Sequence, residues 1–145
     1  MRSADGRLLA WVLAALLAAL NIAGYVFDLY SAFWWFDRVL HAGTILALTF
    51  WLAILVFHKA LRDGHHLLVL LLIASVGIAA GALWEVAEWA FDAVAPGNVI
   101  KGKDDTLIDV IMDTVGSFAA ALLALRYRPG PGRAAVPLGE PSRVR

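Results

Sequence analysis

The chain has 145 residues, of which 61% are hydrophobic and 17% are charged, and its formal net charge is zero. This composition is too apolar for an ordinary soluble domain and is typical of a membrane protein. The absence of cysteine excludes disulfides, thiolate metal ligands and a cysteine nucleophile. We therefore expect the lipid bilayer, and not nucleic acid, to be the main partner.

Four apolar stretches are each long enough to cross a hydrocarbon core of about 30 Å as a helix. Backbone polar groups must be paired within the segment in lipid, so each stretch should be helical. The predicted fold is an all-α, polytopic integral membrane protein: a four-transmembrane-helix bundle with short loops. We predict a transmembrane domain over residues 1–128, with spans at about 8–27, 39–58, 67–89 and 106–125, and a disordered cytoplasmic tail over 129–145.

The basic residues are distributed unevenly about these spans. Of the 12 Lys and Arg residues, only Arg38, Lys101 and Lys103 fall on the side opposite the two termini. The positive-inside rule therefore predicts that both termini are cytoplasmic, in a multi-pass protein of the bacterial inner (plasma) membrane. The first span lacks an obvious cleavage site, so we interpret it as a retained helix and not as a signal peptide.

Acidic residues and one histidine collect at the outer ends of spans two, three and four. Asp37 and His41 are one helical turn apart at the start of the second span. Asp37 could simply cap the helix or interact with its dipole. A carboxylate is also the usual partner that orients a histidine ligand of a metal.

Glu85 and Glu88 share one helix face at the end of the predicted third span. Negative charge near a helix C-terminus is unfavourable, and two like charges one turn apart repel each other. We expect a proton, Arg38, an outer-loop lysine or a bound cation to compensate them, unless both simply reach headgroup water.

Asp105, Asp109 and Asp113 recur every four residues and form a stripe along the fourth span. Asp105 can be explained as a first-turn residue, but Asp113 lies about 12 Å deeper. We expect Asp113 to face the bundle interior or a polar cavity.

These residues predict an outward-facing polar site whose chemistry the spacing leaves open. Carboxylates with one imidazole suit a hard or borderline divalent cation, and they could equally bind a polar headgroup. Alternatives are an enzyme acting on a lipid or lipid-linked substrate, proton or metal transport, and a structural network without a ligand. The predicted ligand-binding residues are Asp37, Arg38, His41, Glu85, Glu88, Asp105, Asp109 and Asp113; the predicted metal ligands are His41, Glu85, Glu88, Asp109 and Asp113; the catalytic candidates are His41, Glu85 and Glu88.

Three short motifs at these positions resemble a known family. They are Asp37-Arg38-x-x-His41, Leu83-Trp84-Glu85-x-x-Glu88-Trp89, and Gly102-x-Asp104-Asp105-x-x-x-Asp109-x-x-x-Asp113-x-x-Gly116. Their order and spacing resemble the YjdF-like inner-membrane proteins, which are similar to the VanZ-like family. The resemblance implies a small helical membrane protein of the bacterial cell envelope, since the VanZ-like group is associated with teicoplanin resistance, and it implies no particular reaction.

Overall fold

The computed structural model describes residues 2–95 and 99–128, which form helices joined by short loops. Four helices are long and apolar enough to cross a membrane, as predicted. The predicted tail over 129–145 lies outside the described residues. The helices are α1 (Arg2–Val26), α2 (Leu29–Ala32), α3 (Phe36–Leu55), α4 (His58–Asp63), α5 (His66–Val94) and α6 (Lys103–Arg126).

Helix α3 is the centre of the bundle. It packs against α1, α5 and α6, and α6 also packs closely against α5. Helix α1 lies mainly against α3, so it sits at the side of a compact unit formed by α3, α5 and α6. This arrangement confirms the all-α four-helix membrane bundle.

The two ends of the bundle differ in the chemistry of their cores. Where the chain begins and α6 ends, the buried residues are apolar and include Phe50, Ala53, Ala120 and Ala124, all with no exposed surface. Where α3 and α6 begin, the buried residues include His41, Glu85, Asp109 and Asp113. We call this second end the acidic end.

The end of α5 differs from the sequence-based expectation in a way that affects the site. Helix α5 does not end at Glu88 but continues to Val94, well past the predicted limit at 89. The dipole effect is confined to the last helical turn, so Glu85 lies outside its reach and Glu88 lies at least a turn before the end. The prediction that the helix C-terminus destabilises these two glutamates was therefore wrong. The free-energy cost of a charged Glu85 comes from its burial instead.

Small residues allow the helices to meet at the acidic end. A methyl group at Gly81 of α5 would come within 2.6 Å of Cβ of Asp113 in α6, and one at Gly77 would come within 2.6 Å of Thr49 Oγ1 in α3. A methyl group at Gly116 of α6 would overlap the backbone of Ala42 in α3. Gly77 and Gly81, one helical turn apart on α5, therefore allow the close helix packing that small residues give in membrane bundles.

Polar side chains fix the loops at both ends. The carboxylate of Asp92, near the end of α5, accepts hydrogen bonds from the backbone N–H groups of Val99 (3.0 Å) and Ile100 (2.9 Å). At the opposite end, the Arg128 guanidinium donates to the carbonyl oxygens of Arg62 (2.8 Å) and Gly64 (2.7 Å). The connections next to the spans are therefore held by specific hydrogen bonds.

We expect Gly81→Ala to destabilise the bundle by about 1–3 kcal/mol, because the added methyl overpacks the contact with Asp113. The gain in helix propensity, about 1 kcal/mol, acts in the opposite direction and is too small to compensate. Ala82→Val, at an exposed neighbouring position of α5, is the control that adds volume toward lipid. Thermal unfolding in detergent micelles measures both variants, and an equal melting temperature for Gly81→Ala and wild type would contradict the packing argument.

Asp92→Ala should release the backbone of Val99 and Ile100 and cost about 1–3 kcal/mol, since each hydrogen bond involves a charged acceptor. Amide hydrogen exchange should accelerate at residues 99 and 100 and stay unchanged in the middle of α6. Asp104→Ala removes an exposed first-turn carboxylate of α6 and serves as the control. If both variants exchanged alike at residues 99 and 100, Asp92 would have no anchoring role.

Candidate functional site

The deepest part of the acidic end is a cluster of three buried side chains from three helices. His41 of α3, Glu85 of α5 and Asp113 of α6 expose only 8%, 6% and 1% of their surfaces. His41 Nδ1 lies 3.2 Å from Asp113 Oδ1 and 3.8 Å from Glu85 Oε1. One ligand atom from each of the three lies within 4.8 Å of the others, a spacing that could hold a metal ion.

A second cluster forms on the other edge of the same imidazole. His41 Nε2 lies 3.8 Å from Asp37 Oδ1, and the buried Asp109 completes a group whose ligand atoms are also within 4.8 Å of one another. Asp37 is partly exposed and also lies 3.6 Å from Lys101 Nζ. His41 therefore stands between two groups of carboxylates, one fully buried and one closer to the surface.

Several carboxylate oxygens in these clusters have no hydrogen-bond partner. Glu85 Oε1, Asp109 Oδ1 and Asp113 Oδ2 are all buried and unpaired. A buried, unpaired polar atom costs about 1–3 kcal/mol, and more when it carries charge. Protons or a cation must therefore offset this cost in the folded protein.

The hydrogen bond between His41 and Asp113 assigns different roles to the two ring nitrogens. A neutral imidazole has one N–H donor and one lone pair. Because the 3.2 Å contact joins Nδ1 to a carboxylate oxygen, we assign the proton to Nδ1, where it is donated to Asp113. The lone pair then lies on Nε2, toward Asp37, which is the arrangement in which a carboxylate orients a metal-binding histidine.

Three of the residues predicted for the site lie outside both clusters. Glu88 accepts a 2.7 Å hydrogen bond from Trp84 Nε1. Asp105 accepts a hydrogen bond from the backbone N–H of Lys101 (3.3 Å), in line with its first-turn interpretation. The predicted metal set therefore differs from the structure in two residues. It includes Glu88, which lies in neither group, and it omits Asp37, which the structure groups with His41 and Asp109.

Arg38 is directed toward the loop that precedes α3. Its Nη1 donates to the Trp34 carbonyl oxygen (3.0 Å), and its guanidinium lies 5.2 Å from the centre of the Trp34 ring. Within residues 2–95 and 99–128, no carboxylate comes within 4.0 Å of Arg38, whereas Lys101 does pair with Asp37. Of the alternatives named for Glu85 and Glu88, Arg38 is therefore not supported by these contacts; Lys101 pairs with Asp37 and not with either glutamate.

The sequence analysis did not identify two buried hydroxyl residues, Thr49 and Ser117. With His41 and Asp113 they form a continuous row of buried polar side chains, which we call the polar column. Thr49 and Ser117 are fully buried one layer below Asp113, and Ser117 Oγ donates to the Asp113 carbonyl oxygen (2.7 Å). Below them the described core is apolar, with Phe50, Ala53 and Ala121 fully buried. Ser117 follows Asp113 by four residues, so the sequence could have placed it on the same helix face. Only the packing shows that the polar column ends at this position.

A large cavity adjoins the acidic end, between α1, α3 and α5. Its volume is about 1020 Å³, and His41, Asp37, Asp113 and Lys101 line its polar end. Asn21 bridges its α1 and α3 walls: its amide donates to Thr44 Oγ1 (3.1 Å) and its oxygen accepts from the Tyr30 hydroxyl (3.1 Å). Burial raises the pKa of Tyr30, in the short helix α2, to about 12.

Comparison with known proteins gives a family but no activity. An uncharacterized protein of Thermotoga maritima is 31% identical over 115 residues, which cover 76% of this chain and 58% of the relative, so the chain spans less than two thirds of that relative's length. No solved structure gives a significant match. The model of the family described as "Predicted membrane protein (DUF2238)" matches residues 6–130, and the chain belongs to this family of membrane proteins.

Proposed function

We propose that this protein binds a divalent cation at the acidic end, through Asp37, His41 Nε2 and Asp109. The observation that carries the proposal is the unpaired, buried Oδ1 of Asp109, which lies in a group with Asp37 and His41 that is compact enough for one ion. Two carboxylates and one imidazole suit hard or borderline ions such as Mn²⁺ or Zn²⁺.

Asp113 has the role of a positioning residue in this proposal. Its hydrogen bond to His41 Nδ1 (3.2 Å) fixes the tautomer that directs the Nε2 lone pair toward the ion. Glu85, 3.8 Å from the same nitrogen, adds negative charge next to it. This charge would make the imidazole a stronger donor to the cation.

A purely structural polar network explains the acidic end less well. Such networks stabilise a fold when every member has its partner, and an incompletely paired network is worse than an apolar core. The three carboxylate oxygens without hydrogen-bond partners therefore favour a ligand-binding site over a structural network. A transport path is also less well supported, because the polar column of the described chain ends at Thr49 and Ser117.

The distribution of basic residues supports a location for the proposed site. Placing both termini in the cytoplasm puts the acidic end on the outer side of the inner membrane. We therefore propose an envelope protein whose cation site faces outward. This agrees with the cell-envelope role that the VanZ-like resemblance implies.

Metal content tests the proposal most directly. After incubation with Mn²⁺ or Zn²⁺ and removal of free ion, wild type should retain near-stoichiometric metal by elemental mass spectrometry. His41→Ala and Asp109→Asn should lose it, and Asp113→Asn should weaken affinity by about 10–100-fold. Glu88→Gln and Asp105→Asn, which change acids outside both clusters, should bind as wild type.

Circular dichroism and thermal unfolding of each variant separate lost ligands from lost folding. If wild type retained neither Mn²⁺ nor Zn²⁺, the proposal would be overturned. Retention of metal in both His41→Ala and Asp109→Asn would also overturn it, because these variants remove the only nitrogen and the buried oxygen of the proposed set.

The affinity should also depend on pH in a defined direction. The ligands must be deprotonated to bind the ion, so protons compete with it and affinity falls as the pH is lowered. We expect a loss of about tenfold per pH unit where one proton is displaced, measured by calorimetric titration with Mn²⁺. Affinity that stayed constant on acidification would argue against carboxylate and imidazole ligands.

A further inference from the structure

The cavity between α1, α3 and α5 has the wall chemistry of a lipid site. Its lower part is lined by aliphatic and aromatic side chains such as Leu17, Ile45 and Leu48, and it ends at Trp11 and Trp51, which meet edge to face with ring centres 5.4 Å apart. Its upper part is lined by charged residues of the acidic end. The cavity thus has one apolar and one charged end, as an amphipathic ligand does.

The cavity is open to the side of the bundle that faces lipid. Trp11, Leu48 and Trp84 line it and are also exposed at the surface. Water in an apolar cavity lacks polar partners, so hydrocarbon is the more favourable occupant of its lower part. At about 1020 Å³, it is at the upper limit of the volumes typical of small-molecule sites, about 300–1000 Å³.

The charge at the polar end selects the headgroup. Four carboxylates line the cavity, those of Asp28, Asp37, Glu88 and Asp113, against the basic groups of Lys101 and His41. Asp113 is 1% exposed and its Oδ2 has no partner. An excess of carboxylates in a site attracts a cationic group and disfavours an anionic one.

We propose that this cavity binds a membrane lipid that enters from the bilayer, with a hydrocarbon chain against Trp11 and Trp51 and an amine-bearing headgroup among the carboxylates. This inference goes beyond the cation site and shares with it the proposed ligands His41 and Asp37 and the positioning residue Asp113. Asp28 and Glu88 belong to neither cation-compatible group, so the amine has carboxylates of its own when the ion is bound.

Two pairs of tryptophan substitutions test the apolar part of the site. Ala18 of α1 and Ala80 of α5 line the cavity; the adjacent Ala19 and Ala79, both exposed, do not. Ala18→Trp and Ala80→Trp should each fill the cavity and reduce lipid binding several-fold. Ala19→Trp and Ala79→Trp add the same side chain toward bulk lipid and should bind as wild type.

The probes are phosphatidylethanolamine and phosphatidylglycerol with identical acyl chains, added to delipidated protein in detergent and measured by native mass spectrometry. Wild type should bind phosphatidylethanolamine several-fold more tightly than phosphatidylglycerol. The double variant Asp28→Asn/Glu88→Gln should lose this preference and still bind both lipids through their chains.

Elemental mass spectrometry on the same samples keeps the two proposals distinguishable. Ala18→Trp should bind lipid several-fold more weakly and keep its metal, and Asp109→Asn should lose metal and keep its lipid. A wild type that binds lipid without metal would overturn the cation site alone.

Equal binding of the two lipids by wild type, with no difference between the lining and the control tryptophans, would mean annular lipid only and would overturn the lipid proposal. It would also be overturned by a wild-type dimer that Ala18→Trp converts to a monomer, because a second copy of the chain would then fill the cavity.

Discussion

The contact between His41 and Asp113 is the interaction on which the acidic end depends. It joins α3 to α6 inside the bundle, at a depth where an isolated charge would cost several kcal/mol. The contact is possible because Gly81 leaves room for the Asp113 side chain and Gly116 lets α6 approach the backbone of Ala42. Helix packing and site geometry are therefore set by the same few residues, and neither can change without the other.

Periodicity and hydropathy were sufficient to predict the membrane bundle, because span length and the need to pair backbone groups in lipid leave few alternatives. The convergence of Asp37, His41, Glu85, Asp109 and Asp113 was also predictable, since an up-and-down topology brings those helix ends together. The boundary of α5 was not: no strong stop signal follows Glu88, and apolar residues continue the helix to Val94. This error removed the physical basis of the dipole argument for the glutamates.

The partners of individual charges could not be predicted from spacing. Arg38 is adjacent to Asp37 in the sequence, but its side chain packs on Trp34, because successive residues of a helix point about 100° apart. Lys101 reaches Asp37 instead, across a loop whose path depends on the hydrogen bonds to Asp92. Glu88 likewise accepts a hydrogen bond from Trp84 and lies outside the group that joins Glu85 to His41. Such choices depend on tertiary distances that one sequence does not contain.

The lateral position of α1 has a consequence for how this architecture can diversify. Both carboxylate groups around His41 come from α3, α5 and α6, whereas α1 mainly packs on α3 and supplies one wall of the cavity. Substitutions along α1 can therefore reshape the cavity while every residue of the two groups stays in place. The constraint on the geometry around His41 therefore falls mainly on α3, α5 and α6, whereas the shape of the cavity can change through α1.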